Sequence, residues 1–330
     1  MPAQAYTSAM RIALITPYGR EHRNGNWHTA ARWARFLREA GHTVRVQQAW
    51  DGRDADLMLA LHARRSHASM RAFAEQHPSR PLLLALTGTD LDRDIHEDAS
   101  AQQALEWAHR LIVLQERGTD ELPAHLAAKT RVIYQSAPDI ARQPAPPQTF
   151  EVLVIGHLRA EKDPFRVALA TAYLPEHSQV RVTHLGEALS DDMAETAELA
   201  QAKLPRWHWA GGVTHQAVLK RLARAHLMVI SSVMEGGANV ICEALAADVP
   251  VLASRMPGNV GMLGEDYPGY FPVGDERRLA KLLSMAEHDP DFYAELVSRS
   301  RRRRALMRPE LEASRLRQAV AEFEQASAAV

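Results

Sequence analysis

The chain holds 330 residues but only one cysteine, Cys242. A lone thiol can form neither an internal disulfide nor a cysteine metal cage, which excludes stapled secreted scaffolds and zinc ribbons. Charge of one sign is missing too: 39 Lys and Arg nearly cancel 40 Asp and Glu. A chain without a broad basic field is not expected to take nucleic acid as its partner. No apolar run reaches the roughly 18 residues that a membrane span needs, so no stable membrane association is expected. The first ten residues, MPAQAYTSAM, lack the basic and apolar regions of a secretory signal. They are expected to be a flexible extension, and the protein to be cytoplasmic. Histidine is plentiful, at 16, yet few fall at ligand spacing, and His62 and His67 are five apart. No metal and no other cofactor is therefore expected.

Hydrophobic residues make up 46% of the chain and charged ones 24%, enough to build two ordinary cores over this length. From Arg11 onward, short Leu- and Val-rich runs at 11–16, 42–47, 56–61, 81–86, 110–115 and 131–134 read as strands. Helical patterns at 27–40, 67–77, 98–108 and 116–127 separate most of them. That alternation predicts a parallel sheet covered on both faces. The stretch QPAPPQ (143–148) then reads as a linker, because proline neither donates to a ladder nor sits inside a helix. Beyond it the rhythm restarts, with strands at 151–156, 180–185, 206–211, 226–231 and 250–254.

The expected division is therefore an extension at 1–10, a first Rossmann-like domain at 11–142 and a second at 149–305. A terminal helix at 306–330, broken from its predecessor at Pro309, can cross back to the first domain. Two doubly wound α/β domains imply a cleft between them, with ligands at the carboxyl ends of the strands.

The most informative segment is SSVMEGGANVICEALAADVPVLAS (231–254). A strand ends near Ser231, a loop carries Glu235, Gly236 and Gly237, and a helix starts near Ala238 or Asn239. The first N–H groups of that helix have no intrahelical acceptor and face the positive end of its dipole. Two glycines let a phosphate come close to the backbone, so this is an anion cradle. Glu243, one turn inside the helix, can accept hydroxyl hydrogen bonds from a ribose, and Glu235 can reach a sugar on the distal phosphate. Taken alone, the same carboxylates also suit a helix cap and a solvated helix position. Upstream, EVLVIGHLRAEKDP (151–164) reads as a strand, a glycine turn at Gly156, Arg159 and Lys162, and a helix capped at Asp163.

The spacing Glu235-x7-Glu243 followed by ALAADVPVLAS resembles the donor site of GT-B glycosyltransferases that use nucleotide sugars. The resemblance implies that Glu243 holds the ribose and Glu235 the donor sugar, with Gly237, Ala238 and Asn239 binding through their backbone. It also implies that Arg159 and Lys162 neutralise the leaving diphosphate, and that backbone at Gly212 and Val213 meets the nucleobase. The family often carries a Phe-Gly pair where this chain has Gly-Ala-Asn.

In that architecture the first domain selects the acceptor. The loop TPYGREHRNGN (16–26) places Arg20, Arg23, Gly25 and Asn26 at a strand end, and Trp27, Ala30, Ala34 and Leu37 follow at core spacing. The arginines at 32, 35 and 38 suit a solvated face. LALHARRSHAS (59–69) sets His62, Arg64 and Arg65 beyond one strand, and LTGTDLDRDI (86–95) sets Thr89, Asp90 and Arg93 beyond the next. Together they read as an anion site. Thr87 stands where the family has a histidine, so no catalytic role is assigned to position 87.

The segments GNWHTAARWARFL, LALHARRS and LTGTDLDRDI resemble the selenosugar synthases of selenoneine biosynthesis. That resemblance implies transfer from UDP-N-acetylglucosamine or UDP-glucose to the selenium of selenophosphate. Selenophosphate is already a strong nucleophile and needs positioning more than a base. A carbohydrate or phosphorylated hydroxyl acceptor is the first alternative, and a non-catalytic two-domain ligand-binding protein the second.

Overall fold

The structure is a computed structural model that describes residues 9–20 and 25–324. Most of the expected 1–10 extension lies outside the described residues, as does Arg23. The chain forms two compact units, one running to Gln135 and resuming at Pro309, the other spanning Ser136–Arg308.

The first unit holds β1 (Arg11–Ile15), α1 (Gly25–Glu39), β2 (Thr43–Gln47), β3 (Leu57–Leu61), α2 (Ala63–Gln76) and β4 (Leu82–Leu86). A π turn (Asp90–Asp94), the one-turn α3 (Ile95–Glu97), α4 (Ala99–Trp107), β5 (Arg110–Val113) and β6 (Thr130–Val132) follow. Every strand pair is parallel, in the order β2-β1-β3-β4-β5-β6. β3 and β4 are buried along their whole length, as the unbroken apolar runs predict for a sheet covered on both faces. The expected helix at 116–127 is instead two short 3-10 turns, Glu116–Thr119 and Ala124–Lys129, because Pro123 between them interrupts any longer ladder.

Trp33, not Trp27, is the core tryptophan of α1, alongside Ala30, Ala34 and Leu37. Its indole N–H donates to Glu312 Oε1 at 2.7 Å. Arg32 leaves the expected solvated face and pairs with Glu312 Oε2 at 2.8 Å. Glu312 is carried by α12 (Pro309–Ala321), whose Leu316, Ala319 and Val320 complete the same core. The last helix is thus stitched into the first unit by apolar packing around one satisfied buried carboxylate.

The second unit runs β7 (Phe150–Ile155), α5 (Arg166–Thr171), β8 (Val180–Leu185), α6 (Asp191–Lys203), β9 (Trp207–Trp209) and α7 (His215–Leu222). It continues with β10 (Leu227–Ile230), α8 (Asn239–Ala246), β11 (Val251–Ser254), α9 (Pro257–Leu263), β12 (Tyr270–Phe271), α10 (Glu276–His288) and α11 (Pro290–Arg304). Its parallel sheet has the order β12-β11-β10-β7-β8-β9, so the winding reverses between β7 and β10. The two-residue β12 is too short to show as a strand pattern.

The proline stretch does not divide the units. The boundary falls between Gln135 and Ser136, and the segment leading into 143–148 is tied to the second unit. The Ile140 N–H donates to the Ala246 carbonyl at 3.1 Å and that of Gln143 to Ala223 at 2.9 Å. Arg142 adds a bond to the Ala225 carbonyl at 2.6 Å. Proline removes donors only at its own positions, and the residues before the prolines keep theirs.

Candidate active site

In an open parallel sheet, the loops leaving the carboxyl ends of the two strands at the reversal diverge and leave a crevice for ligands. In the second unit those strands are β7 and β10. The loop after β7 carries Gly156, Arg159 and Lys162, and the loop after β10 carries Ser231, Ser232 and Glu235–Ala238. Lys162 Nζ pairs directly with Glu235 Oε1, and Ser232 Oγ donates to the same oxygen at 2.6 Å. Glu235 is 8% exposed, so its charge is held in place by these two donors. An ammonium has three N–H bonds and a carboxylate two oxygens, which leaves donors on Lys162 and Oε2 of Glu235 available to a substrate.

The backbone beneath is braced. Ser231 Oγ donates to the carbonyls of Lys162 (3.1 Å) and Asp163 (2.9 Å). The expected helix cap at Asp163 is not made: Asp163 is left-handed at φ 42, ψ 57, ends a 3-10 turn over Ala160–Lys162, and pairs with Arg166, which also holds Glu276. α5 starts only at Arg166. Buried His184 lies at 3.0 Å from the Gly156 carbonyl through Nε2, and burial lowers its pKa to about 4. Gly186 packs so tightly that a Cβ there would lie 1.9 Å from the Gly156 oxygen, whereas a Cβ on Gly156 itself would meet nothing nearer than 3.9 Å. The turn is rigid behind and open in front.

Gly258 lets α9 abut the Glu235 loop, since a Cβ there would sit 1.9 Å from the Glu235 carbonyl oxygen. Asn259 donates to Ser254, and Ser254 Oγ to the Ser232 carbonyl at 2.5 Å. α8 starts at Asn239 behind Ala238, which supplies no side-chain cap. That helix start lies next to half-buried Gly237 and buried Gly236. One turn on, Glu243 Oε1 bonds His215 Nε2 at 2.7 Å, and this bond raises the histidine pKa. Gly212 packs against Glu187, whose Cγ would lie 2.3 Å from a Cβ, and Val213 is half-buried beside it. Arg159 is exposed and extended; its carbonyl accepts from the Lys162 N–H at 3.0 Å, and its guanidinium makes no hydrogen bond or ion pair among the described residues.

In the first unit the winding reverses between β1 and β3. His62, directly after β3, sits at φ 74, ψ 107, a backbone region that costs a non-glycine residue about 1–3 kcal/mol and gathers at functional sites. Its ring nitrogens stand 3.9 Å from Asp90 and from Asp94. The role expected of Asp90 needs correction. Its buried carboxylate is consumed by the N–H groups of Ala63 (2.9 Å), Thr87 (3.1 Å) and Gly88 (2.8 Å), so it ties two loops together. Arg64 and Arg93 pair with Asp94 at 2.8 and 3.3 Å. Burial works to raise the Asp94 carboxyl, but these guanidinium groups and His62 outweigh it and lower its pKa. Arg65 instead lies over the Tyr18 ring at 4.9 Å, which brings the β1 loop to the start of α2. Thr89 is half-buried ahead of the π turn, Arg20 and Gly25 are exposed, and Asn26 is half-buried at the start of α1.

Sequence reasoning missed Ser231, Ser232, His184, His215 and Asp94. The two serines end an apolar strand, a position that signals a loop but not its bonds. Nothing local distinguishes His215 from the other histidines.

The pattern of residues in the second unit is that of a known family. Residues 135–303, half of the chain, match the glycosyl transferases group 1 model, and the chain belongs to this family. Solved structures agree at the level of fold. Sucrose-phosphate synthase from Thermosynechococcus elongatus is 18% identical over 97% of this chain and 100% of its own, with a TM-score of 0.78. Anabaena HepE, solved in complex with UDP and glucose, is 17% identical over 95% of this chain and 99% of its own, with a TM-score of 0.72. A glycosyltransferase from Rickettsia africae matches 97% of this chain and 99% of its own at 12% identity and a TM-score of 0.73. The fold is GT-B, with two Rossmann-type units, and the protein is a glycosyltransferase. Among the described residues no helix is long and apolar enough to cross a membrane.

Proposed function

We propose that the protein transfers a hexosyl group from a UDP-sugar, UDP-N-acetylglucosamine or UDP-glucose, to the selenium of selenophosphate. Selenium attacks the anomeric carbon, the bond from that carbon to the diphosphate oxygen breaks, and UDP leaves with the electron pair. The product is a carbon–selenium bond, the selenosugar step of selenoneine biosynthesis.

The observation that carries the donor half is the Lys162–Glu235 pair beside the uncapped start of α8. Charge growing on the leaving diphosphate meets Lys162, Arg159 and the N–H groups at Gly236, Gly237, Ala238 and Asn239, without a metal. Gly156 lets the phosphate approach, Gly212 and Val213 face the base, Glu243 takes the ribose, and Glu235 Oε2 takes a sugar hydroxyl. HepE, a structural neighbour crystallised with UDP-glucose, supports a UDP-sugar as donor. Support for a small anionic acceptor comes from His62, Arg64, Arg65 and Arg93, with Arg65 paired to no carboxylate among the described residues.

One observation favours a second reading. Asp94 already neutralises Arg64 and Arg93 and lies beside His62, a setting that suits a hydroxyl acceptor deprotonated by His62. The two readings part on UDP release from each UDP-sugar, with and without selenophosphate, followed by mass analysis. Release that requires selenophosphate, with selenium in the product, supports the first. Release driven by hydroxyl acceptors alone selects the second, and no turnover with any acceptor overturns the donor assignment.

A further inference from the structure

Glu243 has a partner that its proposed role does not explain. His215, the first residue of α7, gives its Nε2 to Glu243 Oε1 at 2.7 Å, and no other hydrogen bond or ion pair reaches that carboxylate among the described residues. The Glu243 side chain is 15% exposed and that of His215 48%. The histidine therefore leans from the surface onto a mostly covered carboxylate.

A glutamate on a helix has three free torsions, and holding it in one rotamer costs conformational entropy. A vicinal diol demands that fixed rotamer, with an oxygen turned outward. Resting on the donor reading above, we infer that His215 is the positioning residue for the ribose carboxylate: it clamps Oε1 so that Oε2 of Glu243 faces the two ribose hydroxyls.

The clamp has an electrical side. The hydrogen bond to Glu243 and the charge of that carboxylate raise the His215 pKa, against burial, which works to lower it. Lys220 and Arg221 lie on the last turn of α7, and Glu187 packs on Gly212 upstream. Below its raised pKa the imidazolium makes a charge-assisted bond and also adds positive charge near a dianionic ligand. Above it a neutral ring makes a weaker bond. Nucleotide binding is thus strongest on the acid side and weakens as pH rises through the His215 pKa.

The test is UDP binding by calorimetry between pH 6 and 8.5 for the wild-type protein, His215→Gln and His215→Ala, with 2′-deoxy-UDP as a second ligand. Gln keeps an N–H donor but does not titrate, and the half-exposed site tolerates either change. Relative to His215→Gln, which removes the titration of UDP itself from the comparison, the wild type should lose about fivefold in affinity across the range. His215→Ala should bind UDP about tenfold more weakly at pH 6, discriminate 2′-deoxy-UDP from UDP less sharply, and raise the donor KM with little change in kcat. Wild-type affinity and an unchanged pH profile in both variants would overturn the inference. A failure of the donor reading looks different: Glu243→Gln would then bind UDP normally, and the wild type would not distinguish UDP from its 2′-deoxy form.

Discussion

Two glycines on neighbouring loops, Gly156 and Gly186, separate a ligand contact from a packing contact, because alanine acts differently at each. A methyl on Gly186 would lie 1.9 Å from the Gly156 carbonyl oxygen and 2.8 Å from the His157 nitrogen, both backbone atoms that move only with the turn. Overpacking of this kind costs about 1–3 kcal/mol. In a unit of this size each kcal/mol lowers the melting temperature by roughly 2–4 °C. A methyl on Gly156 meets only the Lys162 side chain, at 3.9 Å, and its backbone is not left-handed. Gly156→Ala should therefore fold as well as wild type or gain up to about 1 kcal/mol through the unfolded chain. If a phosphate approaches this turn, however, the methyl takes its place. Displacement of a reacting group by about 1 Å is worth on the order of a hundredfold in rate. Calorimetry with UDP, thermal melts and donor kinetics on both variants decide the matter. Gly156→Ala should lose at least about tenfold in UDP affinity, or about 1.4 kcal/mol, with an undiminished melting temperature. A variant that melts normally and binds UDP as tightly as wild type would refute the cradle at Gly156.

Other perturbations have equally definite outcomes. Lys162→Ala removes a charge-assisted bond worth about 1.5–3 kcal/mol, so the donor kcat/KM should fall roughly tenfold to a hundredfold. Steady-state UDP release within twofold of wild type would count against Lys162 as a diphosphate ligand. His184 is buried neutral with its pKa near 4, so the folded state binds fewer protons than the unfolded one below neutrality. Its stabilisation is complete above about pH 6.5 and is lost as pH falls toward 4, on the order of 3 kcal/mol in all. His184→Gln should flatten urea-unfolding free energies over that window; an unaltered pH slope argues otherwise. Asp90→Ala strands three N–H groups, that of Ala63 buried and those of Thr87 and Gly88 part-buried, and should cost about 2 kcal/mol in urea titration. Arg65→Ala should leave the fold intact and raise the acceptor KM without touching UDP affinity; weaker UDP binding instead would show that the division of roles between the units is wrong.

Much of this was legible from pattern alone. β3 and β4 are unbroken apolar runs of strand length, as a parallel strand covered on both faces requires, and the Glu235–Glu243 spacing locates the α8 start to within a residue. What could not be read was pairing at a distance. The bonds from Lys162 to Glu235 and from His215 to Glu243 span 73 and 28 positions, and no local rule selects one histidine among 16. The arginines of the first unit show the same limit from the other side. Arg64 and Arg93 look like free anion ligands in sequence, and only the fold brings both onto Asp94. Pro144, Pro146 and Pro147 suggested a linker because proline reports what it cannot donate. It is silent about the N–H groups of Ile140 and Gln143 just ahead, which fasten that stretch to the second unit.

The most direct measurement of the central claim is a crystal structure with UDP bound. The account predicts the diphosphate at the start of α8 within hydrogen-bond reach of Lys162, and the ribose hydroxyls on Glu243. UDP bound away from both glutamates, or no UDP bound at saturating concentration, would contradict it.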